Sequence, residues 1–166
     1  MKHITLLMVF LLSLVTVAVA GSDGDAILGV WATDPEGDGG QAHIEIYKDG
    51  DHYFGRIVWL SEPLYLEGDP HGQAGEAKVD TENPDEALRS QPIIGMTLMR
   101  DFRYDGKGLW HKGTIYDANN GKTYKSKMRL TDDGVLKVRG FIGFSLLGRT
   151  EEWTRVDSQG HEPISK

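Results

Sequence analysis

Residues 124–142 read Tyr124-Lys125-Ser126-Lys127-Met128-Arg129-Leu130-Thr131-Asp132-Asp133-Gly134-Val135-Leu136-Lys137-Val138-Arg139-Gly140-Phe141-Ile142. Two extended segments flank a turn. In the first, Tyr124, Ser126, Met128 and Leu130 alternate with Lys125, Lys127 and Arg129, the two-residue period of a strand with one dry and one wet face. Asp132-Asp133-Gly134 supplies residues that tolerate positive φ, as a tight hairpin requires. A three-residue loop there sets Leu130 opposite Leu136, Met128 opposite Val138, Ser126 opposite Gly140 and Tyr124 opposite Ile142. Lys137 and Arg139 then share the cationic face with Lys125, Lys127 and Arg129. A slip by one residue would turn the charges inward, so the register is strongly specified. The dry face must be the inside of a barrel or sandwich.

The same punctuation recurs along the chain. Its 21 glycines separate short apolar runs, a strand pattern rather than a helical one. Eight strands are predicted: Leu28–Thr33, Gln41–Lys48, His52–Leu60, Ile93–Met99, Gly108–Asp117, Lys122–Leu130, Val135–Ile142 and Arg149–Val156. Asp49-Gly50-Asp51 and Asn119-Asn120-Gly121 mark two further hairpins. The exception to short turns is Ser61 to Pro92, which holds Pro63, Pro70, Pro84 and Pro92. A connection of that length is functional or carries structure of its own. Asn83-Pro84-Asp85-Glu86 predicts an N-cap, a proline at the first helical position and an acidic first turn. One short helix is therefore expected, completed by Ala87-Leu88-Arg89 with Leu88 as its apolar anchor.

The N-terminus sets the compartment. Lys2 precedes an almost wholly apolar run from Ile4 to Val19, and Ala18-Val19-Ala20 is a small-residue cleavage signature before the polar Gly21-Ser22-Asp23. The run is shorter than a spanning helix and lacks a basic stop on its far side. Residues 1–20 are read as a signal peptide, 21–156 as one domain and 157–166 as a flexible tail. Cleavage leaves 146 of the 166 residues, with 17 of the 18 basic and all 25 acidic ones, a net charge of −8. Such a surface repels phosphate backbones and anionic headgroups, so no nucleic-acid partner is expected. There is no cysteine. An exported domain without disulfides must draw its stability from packing and hydrogen bonds.

Most candidate chemistry fails on spacing. Asp34, Glu36, Asp38, Gly39 and Glu45 nearly match a calcium loop. The third position is Glu, however, Gln41 stands where an apolar residue belongs, and both flanks read as strands. His43, His52, His71, His111 and His161 show no ligand spacing, and no metal or cofactor is expected. Gly143-Phe144-Ser145-Leu146-Leu147-Gly148 misses a nucleophile elbow by one residue and has no α/β sheet around it. No catalytic residue is nominated. Aromatics are the better lead. Trp59, Trp110, Tyr116, Tyr124 and Phe141 fall near strand ends or midpoints, where some could line an apolar cavity with Met128. An eight-stranded barrel is just wide enough to fill itself or to hold one small ligand. Gly29-Val30-Trp31, a glycine two before a tryptophan, resembles the opening of the first strand in lipocalin-like barrels, and that resemblance implies an arginine from the last strand over the indole; Arg155, two residues after Trp153, is placed to be it.

These blocks resemble exported bacterial proteins of domain of unknown function 2147. The resemblance is carried by Gly29-Val30-Trp31, Tyr53-Phe54-Gly55-Arg56-Ile57-Val58-Trp59-Leu60, Asp80, Asn83-Pro84-Asp85, Leu88-Arg89 and Pro92-Ile93-Ile94-Gly95. It continues through Gly113-Thr114-Ile115-Tyr116-Asp117, Gly121-Lys122-Thr123-Tyr124, Leu136-Lys137-Val138-Arg139-Gly140, Gly148-Arg149-Thr150 and Trp153-Thr154-Arg155-Val156. It implies an all-β, eight-stranded antiparallel lipocalin-like barrel in the cell envelope, and no settled activity. Two of its blocks are polar: Asp80, Asn83, Asp85 and Arg89; and Tyr116, Asp117 and Tyr124. They either cap the short helix and fix a turn or form the rim of a ligand mouth. The expected protein is periplasmic or secreted, soluble and not an enzyme. It binds a small apolar or amphipathic ligand through Trp59, Trp110, Tyr116, Tyr124, Met128 and Arg89. Gly29, Trp31, Asn83, Asp85, Trp153 and Arg155 serve structure. The alternative is an envelope interaction protein whose proline-rich connection meets a protein partner.

Overall fold

Short hairpins force neighbouring strands to run antiparallel, and this rule sets the second and third strands and the run from the fourth to the eighth. The computed structural model describes residues 23–35, 40–143 and 146–156. The predicted signal peptide, the predicted tail, residues 36–39 of the acidic loop and residues 144–145 lie outside the described residues. The strands are β1 (Gly29–Ala32), β2 (Ala42–Asp49), β3 (His52–Leu60), β4 (Thr97–Tyr104), β5 (Leu109–Asp117), β6 (Lys122–Leu130), β7 (Leu136–Phe141) and β8 (Gly148–Arg155). Each pairs with the next, and β8 returns to β1, closing an antiparallel barrel. Closure gives every strand a neighbour on both sides.

The β6–β7 register is the one the alternation demands: Leu130 opposes Leu136, Met128 opposes Val138 and Ser126 opposes Gly140. The ladder stops at Lys125–Phe141, one pair short of Tyr124–Ile142. Met128, Leu136 and Val138 are buried inside, and Ser126 donates to the Arg139 carbonyl at 3.1 Å. The cationic side chains of both strands face out.

One end of the barrel is packed solid. A 3₁₀ segment, Asp23–Ile27, runs beneath β1 with Ile27 fully buried. Its carbonyls serve the core indoles: Trp110 Nε1 donates to Gly24 O at 3.1 Å and Trp31 Nε1 to Ile27 O at 2.8 Å. Tyr53, Phe102, Trp110 and Met128 complete this plug, and Trp153 packs on it while facing the open half. The Arg155 guanidinium lies 4.3 Å from the Trp31 ring centroid and donates to Leu28 O at 2.8 Å and Ala26 O at 2.6 Å. Gly29 has φ of 116° and passes so close that a Cβ would sit 3.0 Å from Arg155 Nη1, which explains the glycine two residues before the tryptophan.

Two expectations are corrected. The fourth strand is not Ile93–Met99 but Thr97–Tyr104. Ile93–Met96 turns instead, closed by Met96 N to Ile93 O at 3.2 Å, with Gly95 at φ 96°. The charged stretch after Met99 hid the strand, because Asp101 is an extra, bulged residue at φ 62°. It lets Met99 and Phe102, three apart, both face inward. Lys112 on β5, also at φ 62°, is the matching bulge, since Arg100 opposes Thr114 and Arg103 opposes His111 on either side. The Phe102 ring fills the space where Gly113 has no side chain. The predicted helix is also displaced. Asp85, not Asn83, caps a single 3₁₀ turn, Glu86–Leu88, accepting from Ala87 N at 3.0 Å. Asn83 Oδ1 accepts from Asp85 N at 2.9 Å, a turn just before the 3₁₀ segment, while its amide donates to Asp80, and Leu88 is exposed rather than an anchor.

Arg155→Ala is expected to lose about 2–4 kcal/mol in urea unfolding, from the ring contact and two charge-assisted bonds. Arg155→Lys should recover less than half of it, because an ammonium cannot reproduce the fork. Lys112→Gly should stabilise the fold by up to about 1 kcal/mol and Lys112→Val should destabilise it, because a β-branched residue strains at positive φ; the same unfolding midpoints read both.

Candidate functional site

The far end of the barrel is hollow. Residues at the C-terminal ends of β1, β3, β5 and β7 and the N-terminal ends of β2, β4, β6 and β8 surround a cavity of about 1320 Å³ that opens to solvent. Ile44, Ile57, Ile115 and Val138 form its floor, with Leu60, Ile93, Leu98 and Phe141 higher on the wall. The small residues that leave room are set by alternation: Gly140 stands on the inward face of β7 where a bulky residue would project.

The long connection crosses this end and contributes Tyr65, Asp69, His71, Lys78, Thr81 and Glu82 to the mouth. It is pinned by one buried carboxylate. Asp80, 1 % exposed, accepts from Tyr116 Oη at 2.8 Å and from Asn83 Nδ2 at 2.6 Å. The backbone adds Asp80 N to Gln91 O and Asn83 N to Asp80 O, both 3.0 Å. Arg89 Nε donates to Asn83 O at 2.8 Å. A second brace is Tyr65, whose hydroxyl accepts from Val79 N at 3.1 Å. Burial, the hydrogen bond to Asp80 and the surrounding carboxylates push the Tyr116 phenol up to about 12, so it keeps its proton and remains a donor.

The two polar blocks read separately in the sequence are therefore one cluster, joined by the Asp80–Tyr116 bond. Asp117 fixes the β5–β6 turn, accepting from Asn119 N at 3.0 Å and Asn120 Nδ2 at 2.7 Å, and Asn120 also donates to Tyr124 Oη at 3.1 Å. Of the six residues expected at a ligand, Tyr116 and Tyr124 line the cavity. Trp110 and Met128 do not, being in the packed plug at the other end. Trp59 stacks on His43, ring centroids 4.3 Å apart, outside the cavity wall. Arg89 braces the connection.

Sequence reasoning missed Glu151 and Arg149. Trp153 points inward, so Glu151 and Arg149 share its face of β8. Trp153 Nε1 donates to Glu151 Oε2 at 2.9 Å, and Arg149 Nε lies 3.7 Å from Glu151 Oε1. An ion pair thus hangs at the rim of an apolar chamber. In the acidic loop, Asp34 accepts from Glu152 N at 3.1 Å and Glu45 pairs with Arg56 at 2.6 Å. Among the described residues no group of three or more His, Cys, Asp or Glu is arranged to hold a metal ion.

Tyr116→Phe leaves Asp80 short of a donor and should lower stability by about 1.5–3 kcal/mol at neutral pH. The raised phenol pKa means that this contribution is fully present below about pH 10, the unfolded value, and is lost as pH rises through about 12. Alkaline ultraviolet titration should show a tyrosine phase near 12, and that phase should vanish in Tyr116→Phe.

A family model described as an uncharacterized protein conserved in bacteria (DUF2147) matches residues 29–155. No curated protein matches the chain. Among solved structures, protein HP1028 from Helicobacter pylori, described as belonging to the lipocalin family, is similar with a TM-score of 0.66 at 20 % identity. The match covers 80 % of this chain and 84 % of that one. The barrel therefore has a lipocalin-like fold, and the chain, matched from the first strand to the last, belongs to the DUF2147 family of bacterial proteins.

Proposed function

We propose that this is an exported binding protein that holds a small apolar or amphipathic molecule in the open half of the barrel. The observation that carries the reading is the division of the interior into a solid plug and a hollow chamber. A barrel of this width could have filled itself with side chains. Here the β-strand positions nearest the mouth leave about 1320 Å³ instead, room for a ligand of drug size or larger. The walls are aliphatic and the rim is polar. A ligand would put its apolar body against Ile44, Ile57, Ile115 and Val138 and its polar end among Tyr124, Glu151 and Arg149.

Binding is favoured over catalysis by what the polar groups do. The Tyr116 hydroxyl is committed to Asp80, and Asp80 to the connection, so this pair holds the mouth in shape rather than offering an acid and a base to a substrate. The apolar signal-like run Ile4–Val19 supports an envelope location.

Native mass spectrometry and solvent extraction of protein purified from its own host should recover a co-purifying small molecule. A fluorescent apolar probe such as N-phenyl-1-naphthylamine should bind the emptied protein. Ile115→Trp, which narrows the chamber at its apolar floor, should weaken the probe by about tenfold, the value of a blocked apolar contact surface of one side chain, with little change in the unfolding midpoint. Neither extract nor probe binding in correctly folded protein would leave the reading without support.

A further inference from the structure

The described residues between β7 and β8, Ile142, Gly143, Leu146 and Leu147, stand at the edge of the mouth and are unusually apolar. Ile142, Leu146 and Leu147 are 67, 89 and 71 % exposed, and the chain carries no ionisable residue between Arg139 and Arg149. Ile142 and Leu147 also belong to the cavity wall, so the exposed apolar surface is continuous with the chamber. Three large side chains left in water at one loop mark an interaction site.

The same two strands carry the second half of the signature. Their outer face presents Lys125, Lys127, Arg129, Lys137 and Arg139. Lys127 stands directly opposite Arg139, and Arg129 directly opposite Lys137. Like charges facing each other across a ladder are destabilising; Glu152 answers Lys137 at 2.8 Å, yet among the described residues no carboxylate lies within ion-pair distance of Lys125 or Lys127. Lys127, Arg129, Lys137 and Arg139 line a cleft of about 220 Å³ on this face. Lys125 pairs with Phe141, so the cationic surface runs up to the root of the apolar hairpin.

We propose that this edge of the mouth docks on an anionic phospholipid bilayer. Leu146 and Leu147 enter the headgroup–acyl boundary, and Lys125 and Lys127 meet the lipid phosphates, while Arg139 braces the loop by donating to Thr150 Oγ1 at 2.8 Å and Leu146 O at 3.2 Å. Apolar insertion combined with a local basic patch is what reversible surface binding requires. The chain's net charge of −7 does not oppose it, because charges farther than a screening length of about 8 Å scarcely contribute at physiological salt. Docking would set the mouth against the bilayer, so that an apolar ligand passes between them without crossing water. The surface stands independently of whether the chamber holds a ligand.

The absence of cysteine makes the test direct. Leu146→Cys, labelled with a polarity-sensitive dye, reports the hairpin; Asp132→Cys, on the hairpin at the plugged end, is the control. With vesicles of phosphatidylcholine and phosphatidylglycerol, the dye at 146 should shift to the blue and the dye at 132 should not, whatever the N-terminal segment does. Phosphatidylcholine alone should give little shift. Lys125→Glu and Lys127→Glu should each weaken the response about fivefold, the value of one basic residue at such a surface, and added salt should mimic them. The proposal is overturned by no shift at 146, by equal shifts at both sites, or by a response indifferent to the lysines. It is equally overturned if sedimentation shows a dimer that Leu146→Asp splits, or if inorganic phosphate binds the cleft as tightly as vesicles do. Probe binding to the chamber, measured without vesicles, should be unchanged in the lysine variants, which separates failure here from failure of the binding reading.

Discussion

Closure of the barrel rests on its shortest ladder. Between β1 and β8, among the described residues, Trp31–Arg155 and Ala32–Thr154 are the ladder pairs, extended by Val156 N to Val30 O at 3.0 Å. A seam so short cannot hold a sheet closed through backbone bonds alone. It is held because Arg155 covers the Trp31 ring and also binds two carbonyls of the segment that enters β1. One side chain therefore ties the last strand, the first strand and the 3₁₀ plug together. Without that tie the plug has no lid, the indoles of Trp31 and Trp110 lose their acceptors, and the chamber above has no floor.

The division of labour follows. With no disulfide available, the plug must carry the stability, and it concentrates the large aromatic side chains. The open half gives up dispersion contacts to keep its space, and polar bonds replace them at the rim. Asp80 is the centre of that replacement. A buried carboxylate is costly unless its oxygens are satisfied, and here both are, one from the connection and one from β5. The same bonds that neutralise the burial cost hold the connection in place across the mouth.

Alternation carried most of the fold. Where charged and apolar residues alternate without interruption, as in β6 and β7, both face and register were legible. Where a strand carries a bulge, as β4 does at Asp101, the period breaks and a neighbouring apolar run, Ile93–Ile94, takes its place. Alternation also says nothing of depth along the barrel axis. Met128 and Tyr124 share a face and a strand, yet one lies in the plug and the other at the chamber; the same blindness put Trp110 beside Tyr116. The Asp80–Tyr116 bond joins residues 36 apart in sequence with no periodic signature, so their polarity was visible and their partnership was not. Glu151 was within reach, since it shares a face with Trp153, but a charged residue inside a barrel contradicts the pattern that was guiding the reading.

The paired bulges at Asp101 and Lys112 have a consequence for how such a barrel can vary. On both sides of them the β4–β5 pairing keeps one common register. Removing Asp101 alone would leave Lys112 without a counterpart and shift the β4–β5 pairing by one residue beyond Arg100, so that Tyr104 no longer stands opposite Trp110. Removing both would restore strict in-and-out order from Met99 to Tyr104 and from Trp110 to Ile115. The two extra residues are thus a matched insertion: a lineage can gain or shed them only as a couple, and chains of this architecture should differ in length here by two residues or by none.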